Sequence, residues 1–484
     1  MLLVFFVGPI LAAVRLWSYI PGRLLMEMNP LAALATTVAV GVLYSGLWLA
    51  AAVAILTLLF GRFFCSWMCP LGTLQDLAGV SNRKKSIAQK KELNRYRDIY
   101  FLKYGLLLGF LVLAVTGPVQ VGLLDPLALY LRTLGSVVLP GMQAAGVPLG
   151  VLERVTAGGI LIALTMTAVL VATRFIPRAW CRTVCPLGAL FGILSRWSLF
   201  GIRRDPSKCV KCGICRMSCN GAADPDSRIR PSECILCFNC VSKCPKEAIT
   251  YGLPSPAKCQ SDSSPDLTRR RALASASAGL LAYPVLRGAI SSANTPSPKL
   301  IRPPGSLEEK EFLGRCLKCG ACMHVCPTGG LQPAFMEGGF ESLWTPVLVP
   351  RIGYCEANCT RCGHQCPTGA IRELERADRV GTKNPVKIGT AFLDRGRCLP
   401  WAMGKPCLVC EEVCPVSPKA IIVEDAGIVS SEGVVTRLGR PRVVPENCIG
   451  CGACENHCPI ADKAAIRISS VGESRSRKNR FLLS

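Results

Sequence analysis

Residues 209–245 read CVKCGICRMSCNGAADPDSRIRPSECILCFNCVSKCP. Two groups of four cysteines lie there, Cys209, Cys212, Cys215, Cys219 and Cys234, Cys237, Cys240, Cys244, both spaced C-x2-C-x2-C-x3-C; the second closes on Pro245. Three thiolates two residues apart on a tight loop reach three corners of one iron–sulfur cube, while the fourth faces away toward a neighbouring cube. The expected ligand sets are therefore exchanged. Cys209, Cys212, Cys215 and Cys244 hold one [4Fe-4S] cluster; Cys219, Cys234, Cys237 and Cys240 hold the next. The following residues, PKEAITYG, read as a short helix and an apolar strand of a small α+β unit.

The pattern continues toward the C-terminus. Cys316, Cys319, Cys322, Cys326 and Cys448, Cys451, Cys454, Cys458 repeat it regularly, whereas Cys355, Cys359, Cys362, Cys366 and Cys398, Cys407, Cys410, Cys414 have a wider first gap. All four groups end in Cys-Pro, and PTGAIREL and PVSPKAIIVED follow the middle two. Six groups imply six [4Fe-4S] clusters. The nesting of these last four stays open: first with second and third with fourth, or first with fourth and second with third. Zinc uses two Cys-x2-Cys knuckles on a longer loop, and three ligands crowded into seven residues do not fit that plan. Disulfides fit a tightly spaced thiol set no better. Cys259 stands outside every group and reads as a reduced thiol.

Composition agrees. The 484 residues hold 29 cysteines against three histidines, and no Cys-x-x-Cys-His occurs, so thiolate is the ligand on offer and attached haem is not expected. A net charge of +24 would ordinarily suggest nucleic acid. Six cubes at about −2 each cancel roughly half of it, and much of the remainder flanks apolar segments, so no nucleic-acid partner is expected.

The hydrophobic share is 50% and the mean hydropathy +0.35, and the excess lies in the first 200 residues. Apolar stretches at Leu2–Ile20, Leu31–Phe60, Tyr104–Val121 and Ala157–Phe175 predict about four transmembrane helices, with membrane lipid as partner. Nine lysines and arginines fall in residues 61–103, and Arg174, Arg178, Arg182, Arg196, Arg203 and Arg204 follow the fourth stretch, whereas 119–156 has only Arg132 and Arg154. By the positive-inside rule both ends of this part face the cytoplasm. A seventh group sits at the cytoplasmic ends: Cys65 and Cys69 in GRFFCSWMCPLGTLQD, Cys181 and Cys185 in RAWCRTVCPLGALFG. On a helix, residues i and i+4 share a face, so the two C-x3-C-P pairs are candidates for one four-thiolate redox or metal site. A structural pair and a redox-active dithiol are the alternatives.

The expected plan is an α-helical membrane domain (1–204), a two-cluster domain (205–258), a linker (259–300) and a four-cluster domain (301–484), the cluster-bearing parts being α+β and ferredoxin-like. With four spans, two C-x3-C-P motifs and a two-cluster ferredoxin, residues 1–250 resemble the membrane subunit NapH of periplasmic nitrate reductase systems. Residues 301–484, through IRPPGSLEEKEF at Ile301–Phe312 and the groups at Cys316, Cys355 and Cys398, resemble the MauM/NapG ferredoxin-type group. The resemblance implies an inner-membrane quinol dehydrogenase component, passing electrons from quinol to a periplasmic redox protein. Thr268–Leu273 (TRRRAL), before an apolar core ending at Leu286, is similar to the twin-arginine signal of that group, which implies export of the C-terminal domain, with Ser291–Ala293 as a cleavage point. A surface helix is the alternative there. Two other roles fit the same cysteines: a polyferredoxin lying wholly in the cytoplasm, and an accessory protein supplying electrons for metalloenzyme maturation.

Overall fold

The computed structural model describes residues 21–41, 46–115, 119–138, 156–227, 229–253, 273–278, 280–281, 297–379, 385–429, 435–476 and 479. The expected span at 2–20, Cys259 and the cleavage point at Ser291 lie outside them; of the signal-like stretch, only Leu273 and short pieces of its apolar core lie within. The chain forms two compact units, Met1–Leu134 with Leu161–Val285, and Gly135–Ile160 with Leu286–Ser484.

In the first unit, proline sets where helices start. Asn29 and Asp125 each precede a proline, and each caps the helix that follows, Pro30–Val40 and Pro126–Thr133, by accepting two backbone N–H groups. The two caps are themselves joined, Asn29 Nδ2 donating to Asp125 Oδ2 at 2.8 Å. The thirty-residue apolar stretch from Leu31 is not one helix. Gly41 ends Pro30–Val40 in the left-handed conformation (φ 70°), and a new helix runs over Leu47–Phe60.

These helices have 11 and 14 residues, and Ala157–Ala172 has 16. At 1.5 Å per residue the longest is about 24 Å, short of the ~30 Å hydrocarbon core. One helical run, Ile87–Val115, reaches crossing length and apolarity, although Asn94–Arg97 interrupt it, leaving the α-helix Leu102–Val115. Four full-length crossings are thus not found among the described residues.

The two-cluster segment does not stand apart from these helices. Strand β1 (Gly201–Arg204) pairs antiparallel with β2 (Ile249–Gly252), closing the segment around Ile202, Leu236 and Ile249. Its loops pack on the helices through a buried ion pair of Lys103 with Glu233, whose second oxygen accepts from Tyr104 Oη at 2.9 Å. Arg182, buried, donates to the carbonyls of Cys219, Asn220 and Leu93. The strand expected after Cys244 is β2, while the residues before it form a turn instead of a helix.

Among its described residues the second unit holds three antiparallel pairs: β3 (Leu331–Pro333) with β4 (Pro346–Leu348), β5 (Thr390–Leu393) with β8 (Ile466–Ser469), and β6 (Ile421–Val429) with β7 (Val435–Val443). PVSPKAIIVED supplies β6 as expected; PTGAIREL makes only a single bridge, Ser306 to Ile371. The core is small and mixed, with Phe312, Ile371, Ile421 and Ile466 packed among the cysteines. The segment IRPPGSLEEKEF clamps it. Arg302, buried, stacks over the Phe312 ring and pairs with Glu309 (2.6 Å), which also binds Arg475 (2.6 Å) near the chain's end.

Candidate iron–sulfur sites

The four regular cysteine groups share one backbone device. The second residue after the first cysteine and the residue after the second cysteine both have positive φ: Lys211 and Gly213, Leu236 and Phe238, Lys318 and Gly320, Gly450 and Gly452. Left-handed residues at these places curl the loop so that three thiols turn inward. For Lys211, Leu236, Phe238 and Lys318 the conformation costs about 1–2 kcal/mol each, a strain that persists where the surroundings impose it. In every group the third cysteine sits in a one-turn helix: Cys215 in Ile214–Met217, Cys240 in Asn239–Ser242, Cys322 in Ala321–His324, Cys362 in Arg361–His364, Cys410 in Val409–Glu412 and Cys454 in Ala453–Asn456.

The thiols gather in exchanged sets. One small cavity is lined by Cys209, Cys212, Cys215 and Cys244, and Cys240 feels the charges of Cys234, Cys219 and Cys237. In the second unit Cys322 is influenced by Cys319, Cys316 and Cys366, while a cavity is lined by Cys326, Cys355, Cys359 and Cys362. Cys410 feels Cys398, Cys407 and Cys458; Cys454 feels Cys451, Cys448, Cys410 and Cys414, and Cys414 also acts on Cys448. Of the two nestings open in the sequence, the structure therefore has the first group paired with the second and the third with the fourth.

Burial pushes several of these thiols up, Cys215, Cys316 and Cys355 to about 11 and Cys234, Cys410 and Cys451 to about 12, with neighbouring thiols adding to it. Such groups stay protonated at neutral pH unless a cationic guest displaces the protons. The fourth cysteine of several groups is met by a backbone N–H: Ala223 donates to Cys219 (3.3 Å), Ala248 to Cys244 (3.3 Å) and Ile371 to Cys366 (3.4 Å). Arg379, buried, donates to Cys355 at 3.1 Å; no motif marked it. All-sulfur donor sets, buried or half-buried apart from the exposed Cys212 and in part met by N–H donors, suit an anionic iron–sulfur cube. Among the described residues no three Cys, His, Asp or Glu side chains close around a point fit for one metal ion.

The C-x3-C-P pairs are also brought together, by a route the i, i+4 reading missed. Cys65 lies in the short helix Phe63–Trp67 and Cys181 in Ala179–Thr183, but Cys69 and Cys185 are extended caps of new helices, Pro70–Ala78 and Pro186–Leu194. The reason is the proline, which excludes the helical conformation from the residue before it. Cys185 feels Cys181, Cys65 and Cys69, and Cys69 feels Cys181 and Cys65. Gln75 Nε2 donates to Cys181 Sγ at 3.3 Å, the Gly188 N–H to Cys185 Sγ at 3.2 Å, and Arg178 to the Cys65 carbonyl at 3.1 Å.

A family model described as a 4Fe-4S binding domain matches twice, at residues 42–88 and 158–205, and another of the same description matches 441–461. The ferredoxin-type protein MauM of methylamine utilization is similar to the chain: that of Methylorubrum extorquens is 35% identical over 198 residues, 39% of this chain and 80% of that protein. MauM of Paracoccus denitrificans is 34% identical over 212 residues, covering 42% and 87%. YccM of Escherichia coli, named as an electron transport protein, is 34% identical over 208 residues; the match covers 42% of the chain and 54% of YccM. No solved structure matches. The thiol groups and the coverage of MauM agree with the ferredoxin-type part of the expected likeness, and the chain belongs to the MauM group of ferredoxin-type iron–sulfur proteins.

Proposed function

We propose that the chain is an inner-membrane electron carrier with six [4Fe-4S] clusters, taking electrons from quinol and passing them to a periplasmic redox protein. The observation that carries this reading is the resolution of 24 cysteines into three mutually exchanged pairs of four-thiol sites. When bound, the clusters supply one-electron transfer; the chain supplies thiolates, spacing and N–H donors that set the potentials. Within the second unit the two pairs are tied, the Cys355 N–H donating to the Cys451 carbonyl at 2.8 Å. This supports an order along the unit: the Cys316 site, the Cys355 site, the Cys448 site, then the Cys398 site.

Membrane contact is supported by apolar side chains left open on the helices of the first unit, among them Trp48, Ile55, Val115, Leu164 and Val171; such a surface is costly in water and ordinary in lipid. Quinol as donor and a periplasmic acceptor rest on the NapH-like and NapG-like features of the sequence. The test is anaerobic purification from membranes, an iron count and addition of a quinol analogue. About 24 iron atoms or more per chain and bleaching of the cluster absorbance on quinol addition support the reading. Pale protein carrying zinc overturns it. Protease cleavage of residues 301–484 from the periplasmic face tests the location of the acceptor.

A further inference from the structure

The sequence contains a repeat that the six clusters do not use. GRFFCSWMCPLGTL and PRAWCRTVCPLGAL are offset by 116 residues, and the family matches at 42–88 and 158–205 begin at the same offset. Each copy folds alike: a short helix carrying the first cysteine, a break, an extended cysteine, proline at the first helical position, and a nine-residue helix. The copies pack face to face, with Phe64 and Phe191 ring centres 5.4 Å apart.

Their thiols share one locus. Gln75, on the helix behind Cys69, reaches across to Cys181 Sγ and accepts from the Trp180 N–H at 3.1 Å. Arg62 Nη2 lies 4.0 Å from Cys65 Sγ and 3.2 Å from the place a Cβ would take on Gly188, whose N–H faces Cys185. Each copy therefore contributes two thiols, and the first copy's Gln75 also donates to a thiol of the second.

The charge there is unbalanced. Arg62 and Lys103, both fully buried, face the single carboxylate Glu233. A buried cation without a counter-charge costs several kcal/mol, and an anionic guest removes that cost. Arg62 Nε and Trp180 Nε1 are also buried with no hydrogen-bond partner among the described residues. Neutral thiols or a disulfide would leave the charge unbalanced.

We propose that Cys65, Cys69, Cys181 and Cys185 together hold a seventh [4Fe-4S] cluster, each half of the repeat lending two thiolates. The site abuts the second ferredoxin site: Trp67 Nε1 donates to the Leu236 carbonyl at 3.0 Å, and Arg178 feels both Cys181 and Cys237. It thus joins the helical part of the unit to the Cys234 cluster. This inference rests on the reading that the other 24 cysteines are ligands, and the iron count separates the two.

The full chain, purified anaerobically from membranes, is analysed for iron, labile sulfide and zinc, beside a Cys69→Ser/Cys185→Ser variant. The expected result is about 28 iron atoms in the parent chain and about 24 in the variant, with one Mössbauer quadrupole doublet component reduced by a seventh of the total area in proportion. About 24 iron atoms in both proteins overturns the seventh cluster and leaves the six intact, as does 24 iron with one zinc that the variant lacks. A parent chain far below 24 overturns both readings. Should the variant fail to accumulate, the parent count alone decides between 28 and 24.

Discussion

The Cys316 and Cys355 groups serve one pair of sites yet are built differently. The first is a local object: Lys318 and Gly320 turn left-handed and the thiols converge within seven residues. The second has no left-handed residue in its loop, and it is held from outside, by Arg379 on Cys355 and by the Cys355 N–H on Cys451. The regular Cys448 group repeats the local device with Gly450 and Gly452, whereas in the Cys398 group the left-handed residue, Gly404, lies inside the insertion. There the insertion is pinned by Trp401, which lies between Arg395 and Arg440 (4.3 and 4.7 Å to the ring centre) and donates to the Pro441 carbonyl. A short, regular spacing encodes its own shape, whereas a widened one borrows its shape from the rest of the unit.

The largest effect expected comes from cutting the exchange between such partners. Cys316→Ser and Cys366→Ser should each cost about four iron atoms, and the double variant no more than that, because both belong to one cube. Cys362→Ser with Cys366→Ser should cost about eight. If the Cys316/Cys366 double variant also loses eight by iron analysis, the paired nesting is wrong.

The regular device breaks at glycine. A Cβ on Gly450 (φ 74°) would lie 2.5 Å from the Gly389 backbone nitrogen, so Gly450→Ala should destabilise the unit by about 3 kcal/mol, combining left-handed strain with overpacking. Gly369 is also left-handed but open around its Cα, and Gly369→Ala should cost only about 1 kcal/mol. Anaerobic thermal melts of the two variants compare them directly; equal losses would show that the close approach to Gly389 is unimportant.

A smaller effect concerns the clamp shared by both kinds of group. Burial works against the Glu309 carboxylate, but Arg302 and Arg475 more than reverse it and hold its pKa down at about 2. A depressed carboxyl pKa contributes stability above the ordinary value near 4.5, and that contribution is lost as pH falls toward 2. With 30% of the side chain open to solvent, screening leaves on the order of 2 kcal/mol. Denaturation of the parent chain should therefore ease between pH 5 and about 2 by that amount more than in Glu309→Gln, whose stability is lower at neutral pH and flatter across the window.

How far the molecule was legible follows the same line between local and borrowed shape. The exchanged first pair could be read from Cys209–Pro245 alone, because spacing fixes which thiols share a loop. The break at Cys69 was legible too, in Pro70, and reading Cys65 and Cys69 on one helix overlooked it. Gly41 hid the division of the long apolar stretch, since an isolated glycine is compatible with either a continuous or an ended helix. The nesting of the four later groups was closed to spacing arguments because it depends on β5 meeting β8 across more than seventy residues. Arg379 lies outside every motif and acts only through the fold.

That arginine gives the finest test of the comparison. Its side chain is buried, donating from Nη2 to Cys355 Sγ and from Nη1 to the Val386 carbonyl at 3.1 Å. A charged donor on a ligand sulfur stabilises the more negative, reduced state of a cluster, so it raises the potential. Arg379→Met keeps much of the volume and removes the charge and the hydrogen bond. The cluster whose signal is lost in Cys359→Ser should then titrate lower by on the order of tens of millivolts, followed by EPR against applied potential, while the cluster lost in Cys319→Ser stays where it was. A shift in both, or in neither, would mean that the widened group is not tuned from outside as its geometry implies.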